Sequence, residues 1–282
     1  MHLTKMHGCG NDYWLTRGPV TVSAGLVRAL CDRRRGLGSD GLIVVTPEAD
    51  RADVSMRIYN ADGSDGGMCG NGVRCVAAMA LERGWASGPS VRIDAGGRVV
   101  EAERVEGGLV RVDMGEPRLA LAEIPVDAAG LDEVGEFGVE HQVGGLPAVF
   151  VSMGNPHMVA MIEGDPAGWD LGDTGPFIER HRAFPERINL HLTRIIERDA
   201  AEARSWERGA GATLACGTGA CAVQVAGVLT GRLDREAAVR MPGGVLGTEW
   251  DDRTGRVFLT GPAETVGTAE WDARERAGSP PC

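Results

Sequence analysis

Two cysteines each stand directly before a glycine-rich turn that leads into a predicted helix. The first turn reads Cys-Gly-Asn-Gly at 69–72, and the second reads Cys-Gly-Thr-Gly at 216–219. A turn of this kind leaves backbone N–H groups without intrahelical partners, and together with the helix dipole they form a site for an anion. The same electric field favours the thiolate form of a cysteine, so both segments indicate reactive thiols.

Two such segments that face each other across a cleft could hold one carboxylate between both sets of N–H groups. The α-carbon would then lie between the sulfur atoms of Cys69 and Cys216. One thiolate would remove the α-proton and the other thiol would protonate the opposite face, which inverts the stereocentre. The backbone donors would stabilise the developing negative charge, and closure of the cleft would exclude water. The pattern therefore predicts a racemase or epimerase that needs no cofactor.

The lysine content bears on the one organic cofactor that racemases commonly use. The chain contains a single lysine, Lys5, in the opening segment His-Leu-Thr-Lys-Met. An enzyme that uses pyridoxal phosphate needs a lysine for the Schiff base, and no phosphate-loop pattern accompanies Lys5. The sequence therefore argues against pyridoxal phosphate.

Other readings of the cysteines remain open at this stage. A zinc site could be built from Cys69, Cys75, Cys216 and Cys221, but the spacings are C-x5-C and C-x4-C, longer than most structural zinc knuckles. A disulfide between Cys69 and Cys216 would be a side reaction of oxidation. A thiol-redox protein would be expected to carry C-x-x-C, which the chain does not contain.

Length, charge and cysteine count limit the class of protein. The 282 residues suggest two domains or one large domain. The formal net charge of -11 argues against general binding to nucleic acid. We expect no membrane segment, since no uncharged apolar stretch of about 18 residues occurs. The seven cysteines, an odd number, suggest reduced thiols in a cytoplasmic protein.

The predicted secondary structure repeats in the two halves of the chain. Helices are predicted at 72–83 and 220–229, directly after the two cysteine segments, and each is preceded and followed by strands in the same order. This order indicates an internal duplication of one α/β unit. The other predicted elements are helices at 22–35 and 173–183, an opening strand within 1–16, strands at 42–46, 54–59, 147–151, 157–162, 189–192, 201–206, 237–241 and 256–260, and a hairpin within 91–114.

Six segments of the chain, in order, resemble the diaminopimelate epimerase family, and the resemblance covers nearly the whole sequence. They are KMHGCGNDY at 5–13, YNADGS at 59–64, MCGNGVRC at 68–75, GNPH at 154–157, IN at 188–189, and WERG at 206–209 with LACGTGAC at 214–221.

The resemblance implies a fold, a reaction and an assembly. The fold would be α/β (α+β) with two pseudo-symmetric domains, each a curled mixed sheet around a central helix, and the active site in the cleft between them. We place the domains at 1–116 and 117–265, with a tail at 266–282 that returns to the first. The reaction would interconvert LL- and meso-2,6-diaminopimelate without metal or organic cofactor. The protein would be a homodimer, and its only other partner would be this small-molecule substrate.

The resemblance also assigns roles by position. In the LL-to-meso direction Cys216 would accept the proton and Cys69 would donate one, with the roles exchanged in reverse. Asparagine can donate and accept hydrogen bonds, and arginine can hold a carboxylate in a bidentate fork. The matched residues are His157 and Glu207 as assistants at the reacting centre, Gly70, Asn71, Gly217 and Thr218 as the backbone cradle, and Asn11, Asn60, Asn155, Asn189 and Arg208 as groups that hold the substrate.

Three positions depart from the family pattern. Gly41 stands where many members have glutamine, and His191 and Ala212 stand where glutamate is usual. These changes leave the two thiols intact but bear on the far end of the pocket. Two alternatives therefore remain, namely a two-thiol racemase of the histidine or hydroxyproline type and a non-catalytic relative that only binds a ligand. A substrate with a distal carboxylate is favoured by Asn60, Asn189 and Arg208.

Overall fold

The computed structural model describes residues 1–48, 50–67, 69–86, 88–135 and 140–272. The chain divides into two compact units, one of Met1–Val112 with Gly261–Cys282 and one of Asp113–Thr260. The last ten residues of the predicted returning tail, 273–282, lie outside the described residues. In the described part of the tail, the strand Glu264–Glu270 pairs antiparallel with the strand His2–Gly8.

The first unit is a mixed sheet with two helices. Neighbouring strands pair in the order β17, β1, β2, β3, β4, β5, β6, β7. The elements are β1 (His2–Gly8), β2 (Asn11–Arg17), α1 (Ala24–Cys31), β3 (Gly41–Pro47), β4 (Val54–Asn60), α2 (Gly70–Glu82), β5 (Ser90–Ala95), β6 (Arg98–Arg104), a 3-10 turn (Glu106–Gly108), β7 (Val110–Gly115) and β17 (Glu264–Glu270).

The second unit has the same plan. Its strands pair in the order β8, β9, β10, β11, β12, β14, β15, β16, and β13 forms a hairpin with β12. The elements are 3-10 turns (Ala128–Gly130 and Pro166–Gly168), β8 (His141–Val143), β9 (Leu146–Ser152), β10 (Pro156–Met161), α3 (Leu171–Glu179), β11 (Asn189–Glu197), β12 (Ala200–Glu207), β13 (Gly211–Thr213), α4 (Gly217–Leu229), β14 (Glu236–Met241), β15 (Gly244–Trp250) and β16 (Val257–Gly261).

The internal duplication is confirmed by strand direction and register. β2 and β3 pair parallel, as do β10 and β11, and each of these pairs is flanked by antiparallel neighbours. Tyr13 pairs with Gly41 where the first parallel pair begins, and His157 pairs with Asn189 at the same place in the second. This register makes Tyr13 equivalent to His157, and it fixes the equivalent of every other residue on these strands.

The helices α2 and α4 form the centres of the two units. Residues 70–80 of α2 and 217–227 of α4 are buried without interruption. Glycine, alanine and valine predominate, so neither helix has a polar face to turn to solvent. Helix α2 contacts strands β1, β2, β4, β5 and β6, and α4 contacts β9, β10, β11, β12, β14 and β15. The predicted α+β fold with two similar units is thereby confirmed.

Several predicted boundaries were wrong. The helix predicted at 22–35 ends at Cys31, because Asp32 Oδ1 instead accepts from the backbone N–H groups of Arg34 and Arg35 in a turn. The two central helices begin at Gly70 and Gly217, inside the glycine segments. Strand β11 continues beyond 192 to Glu197. Five strands were not predicted: β2, which follows the turn after β1, the short strands β8 and β13, and β15 and β17, which lack a clear apolar alternation.

Candidate active site

Both candidate catalytic cysteines occupy the N-cap position of a central helix. Cys69 has φ −128° and ψ 120° before α2, and Cys216 has φ −124° and ψ 112° before α4. Neither side chain accepts a hydrogen bond from its helix, whereas Ser23 caps α1 and Asp170 caps α3. The thiols are therefore not used as caps, and the first turns of both helices present their donors as an anion site would.

A neighbouring side chain closely approaches the third residue of each central helix, which is glycine in both. A Cβ atom on Gly72 would lie 3.0 Å from Ile43 Cδ1, and one on Gly219 would lie 2.2 Å from His191 Cε1. Ile43 and His191 are equivalent positions on β3 and β11. The Gly-x-Gly pattern thus lets each helix start pack directly on its sheet.

Cys69 lies beside a buried tyrosine that the sequence analysis did not single out. Tyr13 Oη is 3.2 Å from Cys69 Sγ, and Asn11 Nδ2 donates to Tyr13 Oη over 3.4 Å. Asn11 and Tyr13 are two residues apart on β2 and so project to the same face. When Cys69 is a thiolate it has no proton to give, so the phenolic O–H is then the donor in this contact.

The first turn of α2 is fixed by Arg74, which is fully buried. Its guanidinium donates to Asn71 Oδ1 over 2.8 Å, to the Gly70 carbonyl over 3.4 Å and to the Pro262 carbonyl over 3.2 Å. The Asn71 side chain is therefore held inside the first unit. Its proposed contribution to a substrate would come from the backbone of the helix start.

Asn60 and Gly41 pair with each other where β3 and β4 meet the loop before Cys69. Asn60 is exposed, and its Nδ2 donates to Ser64 Oγ over 3.0 Å. A Cβ atom on Gly41 would lie 2.4 Å from the Tyr59 carbonyl oxygen. The backbone at Gly41 has no room for a side chain, so this departure from the family pattern is built into the local structure.

In the second unit a continuous series of polar side chains leads away from Cys216. Thr218 Oγ1 is 3.5 Å from Cys216 Sγ and accepts from Asn155 Nδ2 over 3.4 Å. The series then continues through Asn155 Oδ1 to His157 Nε2 (2.9 Å), His157 Nδ1 to His191 Nε2 (2.8 Å), and His191 Nδ1 to Ser205 Oγ (2.8 Å).

Both histidines of this series are fully buried and uncharged. Burial lowers the pKa of His157 well below its usual value, and His191 and the positive charge of Arg208 lower it further. Burial lowers the pKa of His191 to about 3. His157 is thus a neutral imidazole at neutral pH, connected to Cys216 through Asn155 and Thr218.

Glu207 lies at the end of β12 and is the carboxylate beside the second thiol. Burial raises the pKa of Glu207, and hydrogen bonds with Thr213 and Cys216 act in the opposite direction. Thr213 Oγ1 donates to Glu207 Oε1 over 2.5 Å. This threonine lies on the short strand β13, next to the exposed Ala212. The hairpin therefore holds Glu207 in place although Ala212 departs from the family pattern.

Asn189 and Arg208 form a neighbouring group in which Asn189 holds backbone. Its Oδ1 accepts from the Arg208 N–H over 2.8 Å, and its Nδ2 donates to the Pro156 carbonyl over 2.9 Å. Arg208 Nη1 donates to the Glu186 carbonyl over 2.9 Å. Of the predicted substrate-binding residues, Asn189 is the one whose side-chain donor and acceptor both hold the protein backbone.

Glu179, at the end of α3, also supports the Glu207–Arg208 turn, and sequence analysis missed it. One oxygen accepts from the Gly209 N–H over 3.2 Å and the other from Trp206 Nε1 over 2.7 Å. The residue is buried, and Arg187 pairs with it at 3.3 Å. Glu179 is far from residues 206–209 in the sequence, and no local pattern connects them. The sequence therefore carries no signal for this role.

Cys75 and Cys221, the other members of the alternative zinc set, lie in the cores of their units. Burial raises the pKa of the Cys75 thiol to about 12. The described part of the chain contains no group of three or more His, Cys, Asp and Glu side chains arranged to hold a metal ion. Within that same part, no helix is both long enough and apolar enough to cross a membrane.

Comparison with known proteins agrees with this geometry. The model of the diaminopimelate epimerase family matches residues 3–120 and 149–266, one match in each half of the chain. The chain belongs to this family. Diaminopimelate epimerase of Nostoc punctiforme is 45% identical over 279 residues, covering 96% of this chain and 99% of the relative. The enzyme of Desulforudis audaxviator is 44% identical over 284 residues, with the same coverage.

A solved structure shows how widely the fold is shared. The hydroxyproline epimerase of Agrobacterium vitis has a TM-score of 0.67 at 15% identity, covering 95% of this chain and 91% of that one. Identity this low shows the fold alone. The curated relatives, which are far more similar in sequence, set this chain within the diaminopimelate branch of the fold.

Proposed function

We propose that the chain interconverts LL- and meso-2,6-diaminopimelate by moving one α-proton between two thiols. The single observation that carries this proposal is the presence of Cys69 and Cys216 at equivalent helix starts, with matching backbone angles and uncapped first turns. A fold that contains the same anion site and the same thiol twice suits a reaction in which a proton leaves one face of a carbon atom and another is added to the opposite face.

In the LL-to-meso direction, the Cys216 thiolate takes the α-proton and becomes a thiol. The Cys69 thiol then gives its proton to the opposite face of the carbanion and becomes a thiolate. No redox change occurs, and the reverse reaction restores the starting protonation state. The mechanism requires that both sulfur atoms reach the same α-carbon, so that Gly70, Asn71, Gly217 and Thr218 can jointly stabilise its carboxylate through backbone N–H groups.

Glu207 and His157 assist at the second thiol in different ways. Glu207 shares a hydrogen bond with Cys216, and burial raises its pKa, which favours the protonated form more than in an exposed carboxyl group. His157 is neutral and buried, so it acts by orienting Asn155 and not as an imidazolium acid. Asn155 would then contact both the substrate and Thr218.

The distal half of diaminopimelate carries a second carboxylate and a second ammonium group. Arg208 has five N–H donors, of which one is spent on the Glu186 carbonyl. It therefore has donors left for a bidentate contact with the distal carboxylate. Asn11 and Asn60 would complete the binding of the zwitterionic head group, while Asn189 holds the Arg208 backbone in position.

The active form would be a homodimer in the cytoplasm that needs no metal or organic cofactor. Two working thiols require a reducing compartment, and the single lysine leaves little basis for a Schiff base. Sedimentation would measure the dimer, and activity that survives a chelator would support independence from metal. A monomer at working concentration would contradict the assembly but leave the chemistry untouched.

The substrate is tested by incubating the protein with LL-diaminopimelate in deuterated water under reducing conditions and following the α-proton by NMR. We expect solvent deuterium at the α-carbon together with formation of the meso isomer. Histidine and hydroxyproline serve as matched alternatives in separate tubes. Inversion of either of these, with none of diaminopimelate, would contradict the proposed substrate.

A further inference from the structure

The placement of the Asn155 amide sets the direction of the hydrogen bonds that lead to Cys216. Asn155 Nδ2 donates to Thr218, so Asn155 Oδ1 faces His157 Nε2, which must then carry a proton. A neutral imidazole has one N–H, so His157 Nδ1 is an acceptor and His191 Nε2 must donate to it. By the same rule His191 Nδ1 accepts from the hydroxyl of Ser205.

Every donor in this series therefore points towards the sulfur. Thr218 Oγ1 accepts from Asn155, and when Cys216 is a thiolate the sulfur has no proton to give, so the Thr218 O–H is then the donor to Cys216 Sγ at 3.5 Å. Aligned hydrogen bonds in a buried site polarise one another and reinforce the last donor. The series therefore stabilises a thiolate at Cys216 because its hydrogen-bond donors are oriented towards the sulfur. No proton transfer along the series is required.

We propose that His191 and Ser205 are positioning residues that hold His157 in the Nε2–H tautomer and thereby set the thiolate character of Cys216. The proposal rests on the proposed function only in treating Cys216 as a working base. Neither residue touches the sulfur, and both act through His157, Asn155 and Thr218.

The packing around His191 keeps this arrangement fixed. His191 and His157 are fully buried and Ser205 is 1% exposed, so water does not readily replace a lost partner. The His191 ring lies where a Cβ atom of Gly219 would be, directly under the first turn of α4. The helix start and the ring therefore keep each other in place.

Other charged and polar groups face the same region, and they are present in every variant that the test compares. Glu207 on β12 shares a hydrogen bond with Cys216, and the charge of Arg208 acts on His157. The backbone N–H of Cys216 donates to Met241 Sδ on β14 over 3.4 Å. None of these contacts uses the side chain of His191 or Ser205 as a hydrogen-bond partner, so changing those residues removes none of them directly.

The first unit supplies an internal control. The residues equivalent to His191 and Ser205 are Ile43 and Ile58, and both are apolar and buried. Near Cys69 the described polar side chains are those of Tyr13 and Asn11. A change that acts through the histidine series must alter Cys216 and leave Cys69 as it was.

The first experiment measures alkylation of each thiol by iodoacetamide as a function of pH, resolved by peptide mass spectrometry, in the full-length protein without substrate. In His191→Phe we expect the Cys216 rate at pH 7 to fall about tenfold, which corresponds to a pKa about one unit higher. His191→Gln keeps an N–H donor towards His157 and should recover most of the rate. An unchanged Cys216 profile, or an equal shift at Cys69, would overturn the proposal.

The second experiment reads the tautomers directly by long-range proton–nitrogen NMR of the imidazoles. We expect Nε2–H for both His157 and His191, unchanged between pH 8 and pH 5. Ser205→Ala is a small change that keeps the fold and should shift Cys216 alkylation in the same direction by about threefold. Nδ1–H at His157 would refute the direction of the series. Neither experiment uses diaminopimelate, so a failure of the proposed function would be seen separately.

Discussion

The two halves of the molecule share a backbone plan and differ in the side chains around the thiol. At equivalent positions the first unit has Tyr13 and Asn60, and the second has His157 and Glu207. Both units keep the uncapped helix start and the close-packed glycine. The comparison teaches that the anion site depends on backbone, which the duplication repeats, whereas the properties of each thiol depend on side chains, which have diverged.

The divergence has a chemical logic. Cys69 is supported by one phenol, while Cys216 has a carboxyl group and a buried polar series. LL- and meso-diaminopimelate present different faces of the same α-carbon, so the two thiols are not required to be equal. The second unit also carries the β12–β13 hairpin, which is braced by Glu179 and has Arg208 in its turn.

The largest expected effect separates Glu207 from its equivalent, Asn60. Glu207→Gln removes a proton-holding group at the reacting centre and should lower kcat about 100- to 1000-fold with little change in KM. Asn60→Ala removes one substrate hydrogen bond and should raise KM about tenfold with kcat nearly retained. Steady-state kinetics in both directions measure the split. Equal kcat losses would mean that the two positions do the same work.

The close-packed glycines should differ in stability when replaced by alanine. At Gly219 the added Cβ would meet the rigid ring of His191, and at Gly72 it would meet the movable end of Ile43. We expect Gly219→Ala to lower the free energy of unfolding by about 3 kcal/mol and Gly72→Ala by about 1 kcal/mol. Urea denaturation of both variants measures these losses in the free energy of unfolding. A larger loss for Gly72→Ala than for Gly219→Ala would contradict the prediction.

The phenol at the first thiol should affect both directions of the reaction, since Cys69 is the base in one direction and the acid in the other. Tyr13→Phe keeps the ring but removes the hydroxyl 3.2 Å from Cys69 Sγ. We expect kcat/KM to fall about tenfold in both directions through loss of a hydrogen bond to a charged sulfur, because the equilibrium constant fixes the ratio of the two values. Alkylation of Cys216 is the matched control and should not change. A shift at Cys216 alone would show that the phenol acts elsewhere.

The buried histidines make stability depend on pH, and only the second unit carries the pair. The pKa of His191 is about 3 in the folded protein and about 6.5 when unfolded, so the unfolded state binds the proton first. Stability is therefore lost as pH falls below about 7 and is unaffected above it. His191→Phe should lose about 1 kcal/mol less than the parent protein between pH 7 and pH 5.5. Denaturation curves at several pH values measure this difference. If the parent protein and His191→Phe lost the same stability between pH 7 and pH 5.5, His191 would not be buried and neutral.

Sequence reasoning located the two thiols, their glycine turns, the two central helices and the duplication, because these depend on short local patterns. It did not find Tyr13, Glu179 or Ser205 as parts of the site. Tyr13 and Cys69 are 56 residues apart, and Glu179 and Gly209 are 30 apart. Strand register brings such residues into contact, and residue types alone do not determine the register.

The departures from the family pattern were visible in the sequence, but their consequences were not. His191 appeared only as a substitution that put the substrate in doubt. In the folded unit it lies between His157 and Ser205, within the series of side chains that leads to Cys216. Gly41 was flagged as a missing side chain, and the structure shows that the backbone there excludes one.

The central claim is that two thiols act on opposite faces of one α-carbon, and single-thiol variants in deuterated water test it most directly. With LL-diaminopimelate, Cys69→Ser keeps the base Cys216 and should exchange the α-proton for deuterium without forming the meso isomer. Cys216→Ser should show neither exchange nor inversion of that isomer. NMR of the α-position reports both events in one spectrum. Inversion at near-parent rate in either variant would contradict the two-thiol mechanism.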